Sequence, residues 1–141
     1  MILVDTTVWI DFFADRAVPH VAALERMLFD EEDLCTCGIV LTEVLQGLRK
    51  DDDCRRTLDC FDALLFLPMS RPTFIHAAQL YRSLRHKGLT IRKPADCMIA
   101  AVAIEHGAAL LHHDRDFDVL ASHAGLKIVA VQPSHGRPNR S

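Results

Sequence analysis

Short apolar runs alternate along the chain with longer segments whose apolar residues recur every three or four positions. The short runs predict buried strands at residues 2–4, 34–36, 66–67, 108–111 and 126–131. The periodic segments predict helices at 8–13, 19–28, 39–50, 51–65, 73–87, 94–106 and 117–124. Thr6 or Thr7 is expected to cap the first helix. Strands that alternate with helices in this way indicate an α/β sandwich with a mainly parallel sheet.

Acidic residues follow two of the predicted strands. Asp5 comes directly after the first strand, and Asp114 and Asp116 come shortly after the strand that ends at Leu111. In parallel sheets the residues that bind and react gather just beyond the carboxyl ends of the strands. We therefore expect these carboxylates to lie at one edge of the sheet.

Two further acids occupy apolar surroundings. Glu43 lies within "IVLTEVLQGL", and Asp96 lies in the first turn of the most apolar helix. Taken singly, these two acids and Asp5 each have a structural explanation. Asp96 suits a helix N-terminus, Glu43 could face water and Asp5 could cap a helix. Taken together, carboxylates that converge would repel one another, and a hard divalent cation removes that conflict. Carboxylate oxygens favour Mg²⁺ or Mn²⁺ over zinc.

The segments "VDTTVWIDF", "LTEVLQGL", "PADCMIAA" and "HHDRDF" resemble those of PIN-domain nucleases. More narrowly, they are similar to the VapC-type ribonuclease toxins of bacterial toxin–antitoxin modules. The resemblance covers about residues 1–131. It implies a PIN-like three-layer sandwich in which a mainly parallel central sheet is flanked by helices. The polar tail at 132–141 is expected to be disordered.

The resemblance also implies a site and partners. The catalytic acids would be Asp5, Glu43, Asp96 and Asp114, with Asp5, Asp96, Asp114 and Asp116 holding Mg²⁺ or Mn²⁺, and Thr6 supporting the first acid. The implied activity is metal-dependent endoribonuclease cleavage of RNA. The implied partners are a small cognate antitoxin that blocks the pocket and a second copy of the chain in a homodimer.

One residue departs from the pattern of the family. Many relatives carry threonine two residues before the fourth acid, and this chain has His112. An imidazole could replace the hydroxyl in supporting the site, and the neighbouring carboxylates are then expected to raise its pKa. The adjacent His113 should point to the opposite face, so the two histidines are poor joint ligands for one ion.

A basic segment leads into Asp96 and is a candidate RNA-binding surface. It includes Arg85, Lys87, Arg92 and Lys93 and contains no acid between positions 82 and 93. A solvated helix face would explain the same pattern. Arg115, between two site acids, could contact phosphate or form a salt bridge with Asp114 or Asp116.

Two other functions fit parts of the pattern. A phosphatase or phosphotransferase on a related sheet would carry a second aspartate two residues after the first, but Asp5 is followed by Thr6 and Thr7. A non-catalytic module could use an acidic pocket to dock a basic partner, although docking alone would not need a buried metal site.

Composition narrows the class of protein. The 141 residues are enough for one domain, and a net charge of −3 does not indicate general nucleic-acid binding. The five cysteines are an odd number with no secretory signal before them, so free thiols in a reducing cytoplasm are expected. No apolar run has the length of a membrane span, so we expect no membrane association.

Overall fold

The computed structural model describes residues 1–132. Apart from Gln132, the tail expected to be disordered lies outside the described residues. Within them, no helix has both the length and the apolar character needed to cross a bilayer.

Five short strands form one sheet in the order β3-β2-β1-β4-β5, and every neighbouring pair is parallel. The strands are β1 (Ile2–Val4), β2 (Leu34–Cys37), β3 (Leu65–Leu67), β4 (Ala109–Leu111) and β5 (Lys127–Ile128). β1 is central, with Leu3 opposite Cys35 of β2 and Leu110 of β4. The chain first moves outward from β1 to β3 and then returns to the other side of β1, which makes the β1–β4 boundary a switch point where ligands bind in such sheets.

Helices flank this sheet, as the sequence predicts. They are α1 (Thr6–Phe13), α2 (Pro19–Phe29), α3 (Gly38–Gln46), α4 (Asp51–Asp62), α5 (Arg71–His86), α6 (Pro94–Glu105) and α7 (Arg115–Ala124). The fold class is the predicted α/β class, and the sheet is wholly rather than mainly parallel in residues 1–132.

The core is built around β1, β4 and α6. In α6, the residues from Ile99 to Ala103 are all fully buried, as expected for a helix that is apolar on every side. Trp9 of α1 packs against Phe61 of α4, with ring centroids 4.8 Å apart. Because α6 leads directly into the start of β4, its first turn lies at the opposite edge, where the strands end.

Helices α5 and α6 form an antiparallel pair. At one end Thr73 donates its hydroxyl to Glu105 over 2.5 Å, and at the other end residues 87–93 connect the two helices. α5 ends where Gly88 takes a positive φ of 82°, and the N–H of Leu89 bonds to the carbonyl of Leu84 over 2.9 Å. The connection therefore lies at the same end of the pair as Asp96.

Several sequence predictions differ from the observed elements, among them the end of α4, which is Asp62 rather than residue 65. The N-cap of α1 is Asp5, and Thr6 and Thr7 lie inside the helix. α3 begins at Gly38 and ends at Gln46, so its buried stripe is Val40 and Val44 rather than a longer one. β5 has only two residues in place of six, because β4, its only partner in the described sheet, is itself three residues long.

Candidate active site

Asp5 lies at the centre of the edge where the strands end. Its N–H bonds to the carbonyl of Leu111 over 2.9 Å, so β1 and β4 deliver their next residues to the same place. Asp5 occupies the N-cap position of α1, but its side chain forms no capping hydrogen bond. Burial raises the pKa of Asp5 to about 6, partly offset by the nearby N–H groups of Thr6 and Thr7 and by Lys93. Asp5 therefore takes the N-cap position without the side-chain hydrogen bond of a cap, and capping alone does not explain its burial.

Thr6 and Glu43 are in direct contact. The hydroxyl of Thr6 donates to Oε1 of Glu43 over 2.6 Å, which joins the first turn of α1 to α3. Thr6 is buried and Glu43 is half-buried. This contact orients Glu43 beside Asp5, whose pKa the Glu43 charge raises. In the sequence Thr6 adjoins Asp5, and in the structure its hydroxyl holds Glu43.

Asp96 is the most deeply buried of the acids, with 2% of its surface exposed. It lies in the first turn of α6, where the helix dipole favours a negative charge. Even so, burial raises its pKa to about 7, with further upward contributions from Asp5, Asp114 and Glu43 that Lys93 opposes. Its Oδ2 atom is buried and has no hydrogen-bond partner in residues 1–132. A helix-dipole role alone would not leave that oxygen without a partner.

Asp114 and Asp116 complete the acid cluster. One carboxylate oxygen each of Asp96, Asp114 and Asp116 lie within 4.8 Å of one another. Asp114 is the N-cap of α7 and accepts the N–H of Asp116 over 2.9 Å. The cap thus fixes two acids on one turn, facing Asp96 at the start of α6.

Arg92 is the basic residue that contacts this cluster. Its Nη2 lies 3.1 Å from Asp114 and its Nε lies 3.3 Å from Asp116. The hydrogen bond to Asp116 and the two nearby charges raise the pKa of its guanidinium. For Arg115 the sequence left a phosphate contact and such a salt bridge open. Within residues 1–132 Arg115 has no ion pair, and Arg92 forms the salt bridges. Arg115 lies exposed at the start of α7.

The other basic candidates lie on the rim. Lys93 is the N-cap of α6 and is close enough to lower the pKa of both Asp5 and Asp96. Arg85 and Lys87 are exposed at the end of α5, next to the connection that leads into α6. Arg85 also lies over the ring of Tyr81, 5.4 Å from its centroid. The basic segment is therefore at the acidic end of the helix pair.

His112 does not behave as the sequence predicts. Burial lowers its pKa, and the charges of Asp118 and Asp114 only partly oppose that effect. Its Nδ1 accepts the N–H of Asp114 over 3.0 Å, which leaves Nε2 as the protonated nitrogen, 3.4 Å from Asp118. The expectation of a raised pKa was wrong, because burial of the ring, which packs against Phe117, outweighs the charges of the nearby acids. His112 supports the backbone position of Asp114 instead.

A second group of residues near the site was missed by sequence reasoning. The buried His20 pairs with Asp11 at 2.6 Å between Nε2 and Oδ2, and its ring stacks on that of His113. The signal was present, since His20 precedes Leu24 by four positions and shares the inward face of α2. A histidine on a buried stripe needs a partner, and Asp11 supplies it.

The acid cluster fits a hard divalent cation. Its donors are carboxylate oxygens from Asp96, Asp114 and Asp116, with the buried Asp5 beside them. The unpartnered Oδ2 of Asp96 and the raised pKa values of Asp5 and Asp96 both indicate that the residues are arranged for a positive charge. Arg92 supplies such a charge to Asp114 and Asp116 only.

Comparison with known proteins decides the family. The PIN domain matches residues 2–122 of the chain. Ribonuclease VapC11 of Mycobacterium tuberculosis is 40% identical over 137 residues, which are 94% of this chain and the whole of that protein. The chain belongs to the PIN-domain family, among the VapC ribonucleases.

Solved PIN-domain structures agree with this fold. VapBC2 from Rickettsia felis, bound to a DNA fragment from its promoter, superposes with a TM-score of 0.72 at 23% identity, covering 92% of this chain and 98% of that one. A toxin–antitoxin complex from Klebsiella pneumoniae gives a TM-score of 0.70 at 21% identity, with coverage of 92% and 97%. The PIN fold therefore accounts for the convergence of acids from four separate segments.

Proposed function

We propose that this VapC-family protein is a metal-dependent endoribonuclease toxin that a small cognate antitoxin restrains. The observation that carries the proposal is the Oδ2 atom of Asp96, which is buried without a partner while oxygens of Asp114 and Asp116 lie close by. The 40% identity to a VapC ribonuclease supports the reaction class. The acidic site supports a hard cation as cofactor.

We assign the cation to Asp5, Asp96, Asp114 and Asp116. Mg²⁺ or Mn²⁺ held by these residues would lower the pKa of a bound water and stabilise charge on the scissile phosphate. Glu43 lies beside this site with its carboxylate fixed by Thr6, which suits it to orient the attacking water and accept its proton. His112 holds the turn that carries Asp114.

The basic rim attracts the RNA backbone. We assign this role to Arg85, Lys87, Arg92, Lys93 and Arg115, which surround the acids at the end of the α5–α6 pair. The chain is acidic as a whole, so a local basic surface is needed to bring a polyanion to a negative pocket. Affinity for RNA should therefore fall steeply with salt concentration.

The antitoxin would dock beside the site on an apolar groove. Helices α1, α3 and α4 enclose a cavity of about 200 Å³ lined by Ile10, Phe13, Ala14, Val44, Gly47, Leu48, Asp53, Arg56 and Thr57. This groove begins on the same helix whose first turn carries the site. A peptide with apolar anchors in the groove and a basic side chain at the acids would block substrate and metal together.

The homodimer would use a different surface. Leu65 and Phe66 are exposed on β3, an edge strand, and Phe74 and Ile75 are exposed on α5. An exposed apolar edge strand is a liability for a monomer, and a second copy would cover it. We further propose that residues 1–131 are the nuclease domain, since Val131 is the last residue packed on the core among those described. The toxin would act in the cytoplasm, which would keep its five cysteines reduced.

The decisive experiment measures RNA cleavage by metal-stripped protein. We expect cleavage on adding Mg²⁺ or Mn²⁺, little with Zn²⁺, none in excess chelator, and none with Asp5→Asn under any condition. Cleavage that persists in chelator would exclude a required metal. Equal cleavage by Asp5→Asn and the parent protein would point to a contaminating nuclease.

The two other candidate functions have less support. A phosphotransferase would need an acid at the position of Thr7, which is half-buried in α1. A non-catalytic module that docks a basic partner would not cleave RNA with any metal, so the same experiment separates it from a nuclease.

A further inference from the structure

A second cavity opens next to the acid cluster. It has a volume of about 570 Å³ and lies between the end of β4, the first turns of α7 and the segment that follows β5. Its lining combines an exposed imidazole, charged groups and aliphatic side chains: His112, His113, Asp114, Arg115, Asp118, Ile128, Val129, Ala130 and Val131. It shares Asp114 with the proposed metal site, so a group bound in the cavity would lie next to that site.

His113 is held rigidly at the mouth of this cavity. Its ring stacks on that of His20, with centroids 4.3 Å apart and planes inclined by 15°. His20 is itself 3% exposed and fixed by Asp11, which Arg16 approaches at 3.5 Å. The chain thus uses a hydrogen bond between a buried histidine and Asp11 to support one exposed ring. Within residues 1–132, no aromatic ring other than that of His20 stacks on His113.

We propose that His113 is a stacking platform for one unstacked base of the RNA, next to the scissile phosphate, and that the cavity is the subsite for that nucleoside. The proposal rests on the ribonuclease function proposed above. Proteins bind single-stranded RNA by stacking its bases on aromatic or histidine rings, and each such base contributes substantially to affinity. Arg115, exposed in the same cavity, can contact the phosphate of that nucleotide. His20 and Asp11 are positioning residues, since they act through His113.

The test compares RNA binding for each combination of a protein variant and an RNA variant. The probes are fluorescent ten-nucleotide single-stranded RNAs, intact or with one abasic position, and their dissociation constants are measured by anisotropy with Ca²⁺ in place of Mg²⁺. In the parent protein we expect one abasic position to weaken binding by about tenfold, the size of one lost base stack. His113→Ala should weaken binding of the intact RNA by the same factor and be insensitive to that abasic position. His113→Phe should keep both the affinity and the sensitivity.

A matched control and the contrary outcomes separate this inference from the proposed function. His123→Ala removes an exposed imidazole from the far end of α7 and should bind RNA as the parent does. Full affinity in His113→Ala, or the same abasic penalties in it as in the parent, would overturn the subsite while the nuclease proposal stands. If every abasic position weakened RNA binding by the parent protein equally, the subsite would be overturned, even if His113→Ala failed to fold. If the parent protein bound no single-stranded RNA, both the subsite and the nuclease proposal would be wrong.

Discussion

Arg92 donates its backbone N–H and its side-chain Nε to the same oxygen of Asp116, over 3.1 and 3.3 Å. Its Nη2 also reaches Asp114, so one exposed guanidinium partly neutralises two acids of the proposed metal site. The side chain is 68% exposed, which means that it can swing away at little cost. Arg92 therefore competes with a cation for these carboxylates and is also available to a phosphate.

Replacing Arg92 should change metal binding and RNA binding in opposite directions. In Arg92→Gln the acids lose a competing positive charge, so the Mn²⁺ concentration needed for half-maximal cleavage should fall severalfold. The same change removes a phosphate contact, so KM for RNA should rise while kcat changes little. Titration of Mn²⁺ at saturating RNA, and of RNA at saturating Mn²⁺, measures the two effects separately.

Arg115→Gln is the matched control for that experiment. Arg115 adjoins the same acids in sequence but has no ion pair among residues 1–132. It should therefore raise KM without shifting the Mn²⁺ requirement. An unchanged Mn²⁺ requirement in Arg92→Gln would show that its salt bridges do not compete with the metal.

Thr6→Val should lower kcat by about ten- to hundredfold, because a hydrogen bond to a charged group contributes about 1.5–3 kcal/mol. Thr6 is buried and holds Glu43 at 2.6 Å, so the isosteric methyl leaves the fold intact but frees the carboxylate. Thr6→Ser keeps the hydroxyl and should keep most of the activity. If valine and serine variants cleave equally well, the bond to Glu43 does not matter for the reaction.

Asp5→Asn, Glu43→Gln and Asp96→Asn should each abolish cleavage while the protein stays folded. Each keeps the shape of the side chain and removes the charge from a position where acids of four segments meet. Circular dichroism and thermal melting establish the fold, and cleavage of total RNA establishes activity. A variant that retained parent-like cleavage would remove that residue from the proposed site.

The sequence predicted most helices and strands well because they depend on short-range patterns. The apolar runs before Asp5 and His112 marked two strands, and the rule for strand ends then predicted that Asp5 and Asp114 lie at one edge of the sheet, where the structure has them. The sequence could not show which basic residue pairs with the acids. Arg92 is 24 positions from Asp116 in the chain and lies in a connection with no periodic pattern. For Arg115, adjacent in sequence, a phosphate contact and a salt bridge were both left open, and it forms no ion pair among residues 1–132.

The two histidines show where a local pattern was insufficient. No local pattern indicated that Phe117 would pack on His112, and burial of the ring reverses the expected direction of its pKa shift. The partner of His113 is His20 in α2, and helices α3, α4, α5 and α6 lie between the two residues along the chain. Contacts of this kind depend on how the elements pack, which periodicity does not specify.

Because burial lowers the pKa of His112 and so favours its neutral form, its replacement should move the acid limb of the pH–activity profile little. His112→Thr restores the hydroxyl common among relatives and should cleave RNA with a profile like that of the parent at pH 5–8. The profile should instead follow Asp5 and Asp96, whose raised pKa values mean that protons compete with the metal below about pH 7. An acid limb displaced to lower pH in His112→Thr would show that the imidazole does titrate at the site.

The stability of the metal-free protein should fall as the pH rises from about 4 to about 7. An aspartate in the unfolded chain has a pKa of about 3.9, whereas burial raises the pKa of Asp5 to about 6 and that of Asp96 to about 7 in the folded state. Between these limits the folded protein binds more protons than the unfolded chain, so each increase in pH favours unfolding. Urea unfolding of metal-stripped protein at pH 5 and pH 8 should therefore give a free energy of unfolding to which these two groups contribute less at pH 8.

Asp96→Asn should reduce that difference between pH 5 and pH 8 and be the more stable protein at pH 8. Asp59→Asn, on an exposed part of α4, should leave the difference unchanged. Saturating Mg²⁺ should oppose the effect, because the cation binds the ionised carboxylates. If Asp96→Asn and the parent lost the same stability between pH 5 and pH 8, the buried Asp96 would not be ionising in this range, and its place in a charged metal site would have to be abandoned.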